Sequence, residues 1–208
     1  MKDMIDIKPA NASTADGAPP QRRRDPAATR ADILDSAMAV AAEAGALGFT
    51  LDAVAGRAGL SKGALLHHFA SKGALLEALV THMGDIFITE VEAEAARDPE
   101  PYGRNARAYL RVTINDTATP EDISIGRAML AACAIEPAMA SAWRKVTRRL
   151  TADDPTDPAG ADDALMLRLI ADGLWLSDLF GNYQVDADQR RALLGLLTPG
   201  HSVMGGDA

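Results

Sequence analysis

The sequence predicts an all-α protein, in which a three-helix head is joined by a long helix to a larger helical body. Three observations predict this fold class. Apolar residues recur at intervals of three and four along most of the chain, which is the spacing of amphipathic helices. No stretch alternates with period two for long enough to indicate a sheet. Aromatic residues are 4% of the composition while Ala and Leu are abundant, and this favours closely packed helices.

Composition divides the 208 residues into four segments. Residues 1–26 are rich in Pro, Ala, Asp and Ser and have no apolar period, which predicts a disordered arm. Its three consecutive arginines, Arg22 to Arg24, either reach the DNA backbone or minor groove or form a solvated tail. Residues 27–70 are the predicted head, residues 71–198 the predicted body, and residues 199–208 a flexible tail.

Residues 50–72, TLDAVAGRAGLSKGALLHHFASK, predict a helix-turn-helix. Thr50 and Ser61 each precede a short apolar-periodic run, as helix N-caps do. Gly59 lies between the runs, where a left-handed glycine ends one helix and turns the chain into the next. The second helix buries Leu65 and Phe69, so its remaining side chains face elsewhere and are the candidates for reading DNA: Lys62, Gly63, Ala64, Leu66, His67 and His68. An ordinary helical hairpin has the same pattern.

The start of this second helix has the chemistry of a phosphate site. A helix N-terminus offers unpaired N–H groups and a partial positive charge, to which Ser61 and Lys62 add a hydroxyl and a cation. Gly63 and Ala64 are small enough to let the backbone approach base edges, and the Ala64 methyl suits a thymine methyl. Arg30, at the start of the first predicted helix over residues 27–45, can also face phosphate.

Residues 30–80 resemble the N-terminal domain of the tetracycline-repressor (TetR) family of bacterial regulators. The similar stretches are the first helix, a Gly48-Phe49-Thr50 element, the VAGRAGLSKGALLHHF unit and the SKGALLEAL continuation. The resemblance implies phosphate contacts from Thr50, Ser61, His68 and Lys72. It implies groove contacts from Lys62, Gly63, Ala64, Leu66 and His67. Most relatives have a tyrosine in place of Leu66, so an apolar contact would replace a hydroxyl, and His67 stands where an aromatic residue is usual.

The charge distribution separates the head from the body. The net charge of the whole chain is −8. Residues 21–80 carry seven basic and six acidic residues, a net charge of +1, whereas residues 81–208 carry twelve basic and twenty acidic residues, a net charge of −8. The electric field would therefore turn the head toward phosphate and keep the body away from it.

A long helix and five further helices are predicted after the head. Ser71 caps the long helix, which runs toward Arg97 with Gly84 as a point of bending. Its predicted apolar stripe is Leu75, Leu76, Leu79, Met83, Ile86 and Phe87. The further helices cover residues 101–115, 120–134, 137–150 and about 161–182, and a last one begins at residue 186. In the first of these, we interpret the side chains of Arg104, Arg107 and Arg111 as a solvated face.

The helix over residues 161–182 is apolar around most of its circumference, so one neighbouring helix cannot bury it. A partner surface is implied. Together with the last helix, it resembles the pair that forms a twofold four-helix interface in TetR-family dimers. We therefore expect a homodimer whose interface includes Leu176, Leu179, Phe180, Leu193, Leu194 and Leu197.

The sequence contains no motif that predicts catalysis, a cofactor or a metal site. It has neither a GxxxxGK[ST] loop nor an HExxH pair, and adjacent His67 and His68 point about 100° apart on a helix. The single cysteine, Cys133, rules out an internal disulfide, and no apolar run is long enough to span a membrane. We therefore expect a cytoplasmic protein that is not an enzyme and has no membrane partner.

The helix-turn-helix pattern and the resemblance to the TetR family together imply a ligand-responsive transcriptional regulator. We expect a repressor that binds a palindromic double-stranded DNA operator as a dimer and is released by a small, substantially apolar effector. Met and Trp side chains can line an adaptable apolar cavity, so the candidate effector contacts are Met129, Met139, Trp143, Met166 and Trp175, although each alone is also compatible with core packing. The alternative is an all-helical interaction or ligand-sequestering protein that does not bind DNA.

Overall fold

The computed structural model describes residues 26–115, 119–135 and 137–197, which contain nine α-helices and no strand. The helices are α1 (Pro26–Gly48), α2 (Leu51–Arg57), α3 (Lys62–His68), α4 (Lys72–Ala95), α5 (Arg104–Asn115), α6 (Pro120–Ile135), α7 (Pro137–Leu150), α8 (Pro158–Phe180) and α9 (Ala187–Leu196). The predicted all-α class is confirmed. Both the arginines of the predicted arm and the predicted C-terminal tail lie outside the described residues.

The predicted helix caps and the predicted turn of the head are confirmed. The Oγ1 atom of Thr50 accepts a hydrogen bond from the backbone N–H of Ala53 at 3.1 Å, and the Ser61 Oγ atom accepts one from Ala64 at 3.1 Å. Gly59 has a φ of +66°, a left-handed conformation that a Cβ would disfavour. The first helix breaks at Gly45 as predicted, where the backbone is non-helical with a φ of +61°, and a short second helical stretch extends α1 to Gly48.

The long helix α4 begins as predicted, with the Ser71 side chain accepting a hydrogen bond from Ala74. Helix α4 runs through Gly84 without a break to Ala95, and the bend at this residue stays a prediction. Gly84 provides room for α7, because a Cβ at this position would overlap the Val146 side chain. The predicted stripe fails at Ile86, which is 45% exposed. The buried side of the helix passes through Val80, Gly84, Ile88, Val91 and Ala95.

Helix α8 begins at Pro158, three residues before the predicted start. The helix begins early because Asp157 caps it, with its carboxylate accepting a hydrogen bond from the backbone N–H of Gly160 at 3.1 Å. Pro158 follows at a position where its missing N–H costs nothing. The helix ends at Phe180, two residues before the predicted end, and Gly181 follows with a left-handed φ of +67°.

The head and the body share one hydrophobic core. Ile33 and Leu65 of the head belong to the same buried cluster as Met129 of α6 and Met139 of α7. The Ser124 hydroxyl of α6 also donates a hydrogen bond to the Ala42 carbonyl of α1 at 2.6 Å. Two further clusters fill the body, one among α5, α8 and α9 and one among α4, α5 and α7. Helix α6 is therefore the body element against which the head rests.

Two of the three arginines predicted to be solvated bind a buried carboxylate instead. The Asp98 side chain is 3% exposed, and its Oδ2 atom lies 2.9 Å from Arg107 Nε and 2.7 Å from Arg111 Nη1. These guanidinium groups hold the pKa of Asp98 well below its ordinary value. Arg104 is exposed, as predicted. The arginines of α5 thus fix the connection between α4 and α5.

None of the described helices is by itself long and apolar enough to cross a bilayer. Helices α6 and α7 reach that length and composition only when they are taken together, and they are bent by 115° where they meet.

Candidate nucleic-acid interface and effector site

Helix α3 separates its buried residues from its candidate DNA-reading residues. Leu65 and the following Phe69 are buried in the core, at 0% and 2% exposure. The candidates on the other side are exposed or half-buried, as a reading helix requires. The exposed ones are Lys62, Gly63, Leu66 and His67, and the half-buried ones are Ala64 and His68. Leu66 is therefore available for the apolar contact that the sequence predicts at this position.

The two predicted phosphate-binding hydroxyls also serve as helix caps. Thr50 and Ser61 accept hydrogen bonds from backbone N–H groups, at the starts of α2 and α3. A hydroxyl has one donor hydrogen in addition to its acceptor lone pairs, so a capping hydroxyl can still donate to a phosphate oxygen. Both residues are exposed. Each hydroxyl can therefore cap a helix through an oxygen lone pair and still bind a phosphate through its hydrogen.

The three predicted cationic contacts each have a partner within the head or at its boundary. Lys62 Nζ lies 2.9 Å from Asp52 Oδ2, and Lys72 Nζ donates to the Phe49 carbonyl at 2.7 Å. Arg30 donates to the carbonyl of His68 at 3.2 Å and lies over the Phe69 ring. All three side chains lie on exposed residues, so phosphate could replace these partners. Arg30 also fixes the C-terminal end of α3 against α1.

Sequence reasoning assigned no function to Asp52, which places a carboxylate beside the start of the candidate reading helix. Its side chain is largely exposed and pairs with Lys62 across the helix-turn-helix. The pairing depends on the angle between α2 and α3, and no local spacing rule predicts it. Asp52 would repel a phosphate and competes with it for Lys62.

The apolar side chains left exposed on α8 form a stripe at helical spacing. Its members, called the α8 stripe below, are Leu165, Leu169, Leu176 and Phe180, which are 39% to 61% exposed. Leu196 of α9 is exposed as well. Exposed apolar side chains aligned along one helix in this way are typical of an interaction surface. Two of its members, Leu176 and Phe180, are among the residues that the sequence predicts in a dimer interface.

The other four predicted interface residues contact their own chain. Leu179 is 1% exposed and packs against Gly126 of α6, where a Cβ would be too close to it. Leu193, Leu194 and Leu197 are half-buried against the cluster that α5 and α8 form. Because Leu179 is enclosed within the chain, a partner could not contact it in this conformation.

Two of the five candidate effector contacts meet in a cavity. Met129 and Met139 line a space of about 110 Å³ between α1, α4, α6 and α7. Trp143 is 38% exposed on α7, while Met166 and Trp175 lie half-buried on α8, and none of these three lines that cavity. The sequence did not indicate the cavity itself, because it depends on how α6 rests on α1.

Comparison with known proteins identifies the family. Residues 33–79 match the model for bacterial regulatory proteins of the tetR family, and residues 103–198 match a tetracyclin repressor-like C-terminal domain. The HTH-type transcriptional regulator BetI of Burkholderia thailandensis is 31% identical over 156 residues, which are 71% of this chain and 80% of that protein. The chain belongs to the TetR family. The predicted family membership is confirmed, and the matched head is the one built around α2 and α3.

Solved structures of TetR-type regulators share the fold. The multidrug binding protein EbrR, in complex with malachite green, is 29% identical with a TM-score of 0.58, over 82% of this chain and 98% of that one. A transcriptional regulator from Pseudomonas aeruginosa PAO1 has a TM-score of 0.66 at 17% identity, over 84% of this chain and 90% of that one. This TetR-family chain is a ligand-responsive DNA-binding transcriptional regulator. The alternative of a helical protein that does not bind DNA is set aside.

Proposed function

We propose that this TetR-family protein is a repressor that binds a near-palindromic operator as a homodimer in the cytoplasm. A small, substantially apolar effector releases the operator, and catalysis has no part in the function. The observation that carries the proposal is the exposed side of α3, with Lys62, Leu66 and His67 opposite buried Leu65. A reading helix supplies base contacts from such a side, while the surrounding hydroxyls and cations supply phosphate contacts.

Phosphate binding is assigned to Arg30, Thr50, Ser61, His68 and Lys72. Base and groove contacts are assigned to Lys62, Gly63, Ala64, Leu66 and His67, and the Lys62 amine also reaches phosphate at the start of α3. The three cations support phosphate binding, because Arg30, Lys62 and Lys72 all lie on exposed residues and could exchange their present carbonyl or carboxylate partners for phosphate. Apolar Leu66 suits a thymine methyl.

Dimerisation is assigned to the α8 stripe. A monomer in water would leave these four large apolar side chains exposed, and a second copy related by a twofold axis would cover them with the same residues. Two heads would then face two operator half-sites, so the operator is a palindrome whose half-site spacing is set by the dimer.

The effector is assigned an apolar character. The relative EbrR has been solved with ethidium and with malachite green, both of which are bound by that protein. In this chain, Met129 and Met139 line a cavity, and flexible Met side chains adapt to different ligand shapes. Release of the operator requires only that the effector bind the DNA-free form more tightly than the DNA-bound form. A preference of about 2.7 kcal/mol weakens operator binding a hundredfold.

The operator is the first test. The full-length protein is used to select sites from random double-stranded DNA. Its affinity for the selected site is then compared with its affinity for one half-site. We expect a palindrome to be recovered and a half-site to bind at least a hundredfold more weakly. Recovery of no preferred sequence would contradict operator binding, and equal affinity for the half-site would contradict the dimer.

Repression is tested by in vitro transcription from a promoter that contains the selected operator. Added protein should reduce the transcript, and the same promoter with a scrambled operator is the control. An increase in transcript would show an activator instead. Any compound that restores transcription must also bind the protein less tightly when operator is present, because linkage between two sites is reciprocal.

A further inference from the structure

The two helices of the helix-turn-helix end in different ways. Helix α2 is closed by its own backbone, because Gly59 is left-handed and the Leu60 N–H donates to the Ala55 carbonyl at 2.9 Å. Helix α3 is not followed by a glycine. The backbone of Phe69 after it is extended, with a φ of −135° and a ψ of 105°. The last carbonyls of α3 therefore need partners from outside the helix.

Arg30 of α1 supplies such a partner, although it lies 38 positions away in the chain. Its Nη1 atom donates to the carbonyl of His68, the last residue of α3, at 3.2 Å. Its Cζ atom lies 4.1 Å from the centre of the Phe69 ring. Both contacts favour a cation, because the carbonyl end of a helix and the face of an aromatic ring are both negative. One side chain thus holds the last residue of α3 and the residue that follows it.

These contacts leave most of the guanidinium group of Arg30 free. An arginine carries five N–H donors in one plane, and the bond to His68 uses one of them. Arg30 is exposed, so the remaining donors are available for the phosphate contact assigned to it. The planar group also lies on a ring and donates from its edge at the same time, which the compact ammonium of a lysine does less well.

The contacts act on the end of α3 that carries two of the candidate DNA contacts. Helix α3 has seven residues, which is about two turns, and Leu65 is the buried one. Its start is fixed by the cap from Ser61, while His67 and His68 lie in its last turn. Recognition requires side chains to stay within about 0.5 Å of their working positions. A change in the tilt of this short helix would move its side chains away from the bases.

We infer that Arg30 is a positioning residue of the reading helix. By holding the His68 carbonyl and covering the Phe69 ring, it sets the orientation of α3 and with it the preference for operator over other DNA. The inference rests on the proposed function, because it takes α3 as the helix that reads the operator. A phosphate contact strengthens binding to all sequences alike, whereas a correctly oriented α3 strengthens binding to the operator alone.

The orientation of α3 is tested first without DNA, by amide hydrogen exchange. The Phe69 N–H donates to the Leu65 carbonyl at 2.9 Å and reports on the end of α3. The Ala58 N–H donates to the Val54 carbonyl at 2.9 Å and reports on the end of α2. Arg30→Met should speed exchange at Phe69 about tenfold, through local opening, and leave exchange at Ala58 unchanged. Equal acceleration at both amides, or acceleration at neither, would overturn the inference.

The effect on recognition is measured by fluorescence anisotropy, with the operator selected by the protein and with random DNA of equal length. Arg30→Met should lower the ratio of operator affinity to random-DNA affinity about tenfold. An unchanged ratio with both affinities weakened would show a phosphate contact alone and would overturn the inference. Arg104→Met is the matched control, because it makes the same change at an exposed position of α5, and it should leave both affinities unchanged.

The contribution of the ring is tested by a second substitution. Phe69→Leu keeps an apolar side chain in the core but removes the aromatic face beneath Arg30. Arg30→Met should then lower the affinity ratio less in the Phe69→Leu background than in the wild type, because two residues in contact are not independent. Equal effects in the two backgrounds would overturn the inference.

Arg30→Lys answers the same question if Phe69→Leu does not fold. It keeps the charge but not the planar group, so binding to random DNA should return to the wild-type level while the affinity ratio stays low. A wild-type ratio for Arg30→Lys would overturn the role of the stacked guanidinium. Failure of the proposed function gives a different result, because a wild type that prefers no DNA sequence would contradict operator binding. The exchange at Phe69 needs no DNA and still decides whether Arg30 holds α3.

Discussion

At the scale of single residues, Lys62 has two partners that exclude each other. In the DNA-free protein its amine lies 2.9 Å from the Asp52 carboxylate, and in the proposed complex it contacts DNA. An exposed ion pair contributes about 0.2–1 kcal/mol, so the exchange is inexpensive but measurable. Asp52 additionally places a negative charge close to the approaching phosphates.

Asp52→Asn should therefore tighten binding to all DNA sequences, by roughly tenfold at low salt and by less at high salt, because ions screen exposed charges. The measurement is fluorescence anisotropy with operator and with random DNA across a salt series. Asp162→Asn removes one exposed carboxylate from α8 and is the matched control. Equal affinities of the wild type and Asp52→Asn at low salt would contradict competition by Asp52.

Asp98 makes the stability of the body dependent on pH. The Arg107 and Arg111 side chains hold its pKa in the folded protein below the value of about 3.9 expected after unfolding. A lowered folded pKa adds stability at pH values above the unfolded pKa, and this stability is lost as the pH falls toward the folded pKa. The contribution is thus complete near neutral pH and declines below about pH 4.

Asp98→Asn should lower the free energy of unfolding at pH 7 by about 3 kcal/mol, because two arginines lose a buried partner. The difference between wild type and variant should shrink as the pH falls below about 4. Denaturant unfolding between pH 3 and 7 measures both effects. Asp32→Asn, at an exposed position of α1, should stay close to the wild type, and a pH-independent difference for Asp98→Asn would contradict its titration.

At the scale of helices, Gly84 determines how closely α4 and α7 approach. A Cβ at this position would overlap Val146, so the absence of a side chain is a packing requirement. Gly84→Ala should destabilise the protein by about 1–3 kcal/mol through overpacking, although alanine favours the helix by about 1 kcal/mol. In the Val146→Ala background the same substitution should be neutral or stabilising. Equal effects in the two backgrounds, measured by denaturant unfolding, would contradict this contact.

The α8 stripe is predicted to hold the dimer together. Leu169→Glu combined with Leu176→Glu places two charges in the proposed interface, and we expect sedimentation velocity to show monomer at concentrations where the wild type is dimeric. Leu47→Glu is the matched control, because Leu47 is fully exposed on α1 and lies outside the stripe. A doubly substituted protein that remains fully dimeric would place the interface elsewhere.

At the scale of the whole molecule, an acidic body carries a head of nearly balanced charge. Salt dependence of DNA binding reports how many cations of the head replace counterions on the phosphates. In a dimer, Lys62→Ala removes two such cations, so the slope of log K against log salt should fall in magnitude by about two units. Lys145→Ala, on α7 of the body, should leave the slope unchanged. An unchanged slope for Lys62→Ala would place Lys62 away from phosphate.

Local signals account for the parts of the head that the sequence predicted correctly. Thr50, Ser61 and Ser71 cap helices through their own hydroxyls, and Gly59 turns the chain through its own backbone. These interactions span only a few residues, so the order of residues is enough to predict them. The early start of α8 was missed, although Asp157 followed by Pro158 is a local signal of the same kind.

The sequence alone determined the all-α class, the helix-turn-helix and the candidate contacts on α3, because each follows from helical periodicity and helix-end chemistry. Only the tertiary structure decided that Leu179 is enclosed, that Arg107 and Arg111 share Asp98, and that Met129 and Met139 meet in a cavity. Each of these depends on which side of a helix meets a distant part of the chain. Periodicity identifies the apolar side of a helix, but the angles and close approaches between helices determine which residues that side contacts.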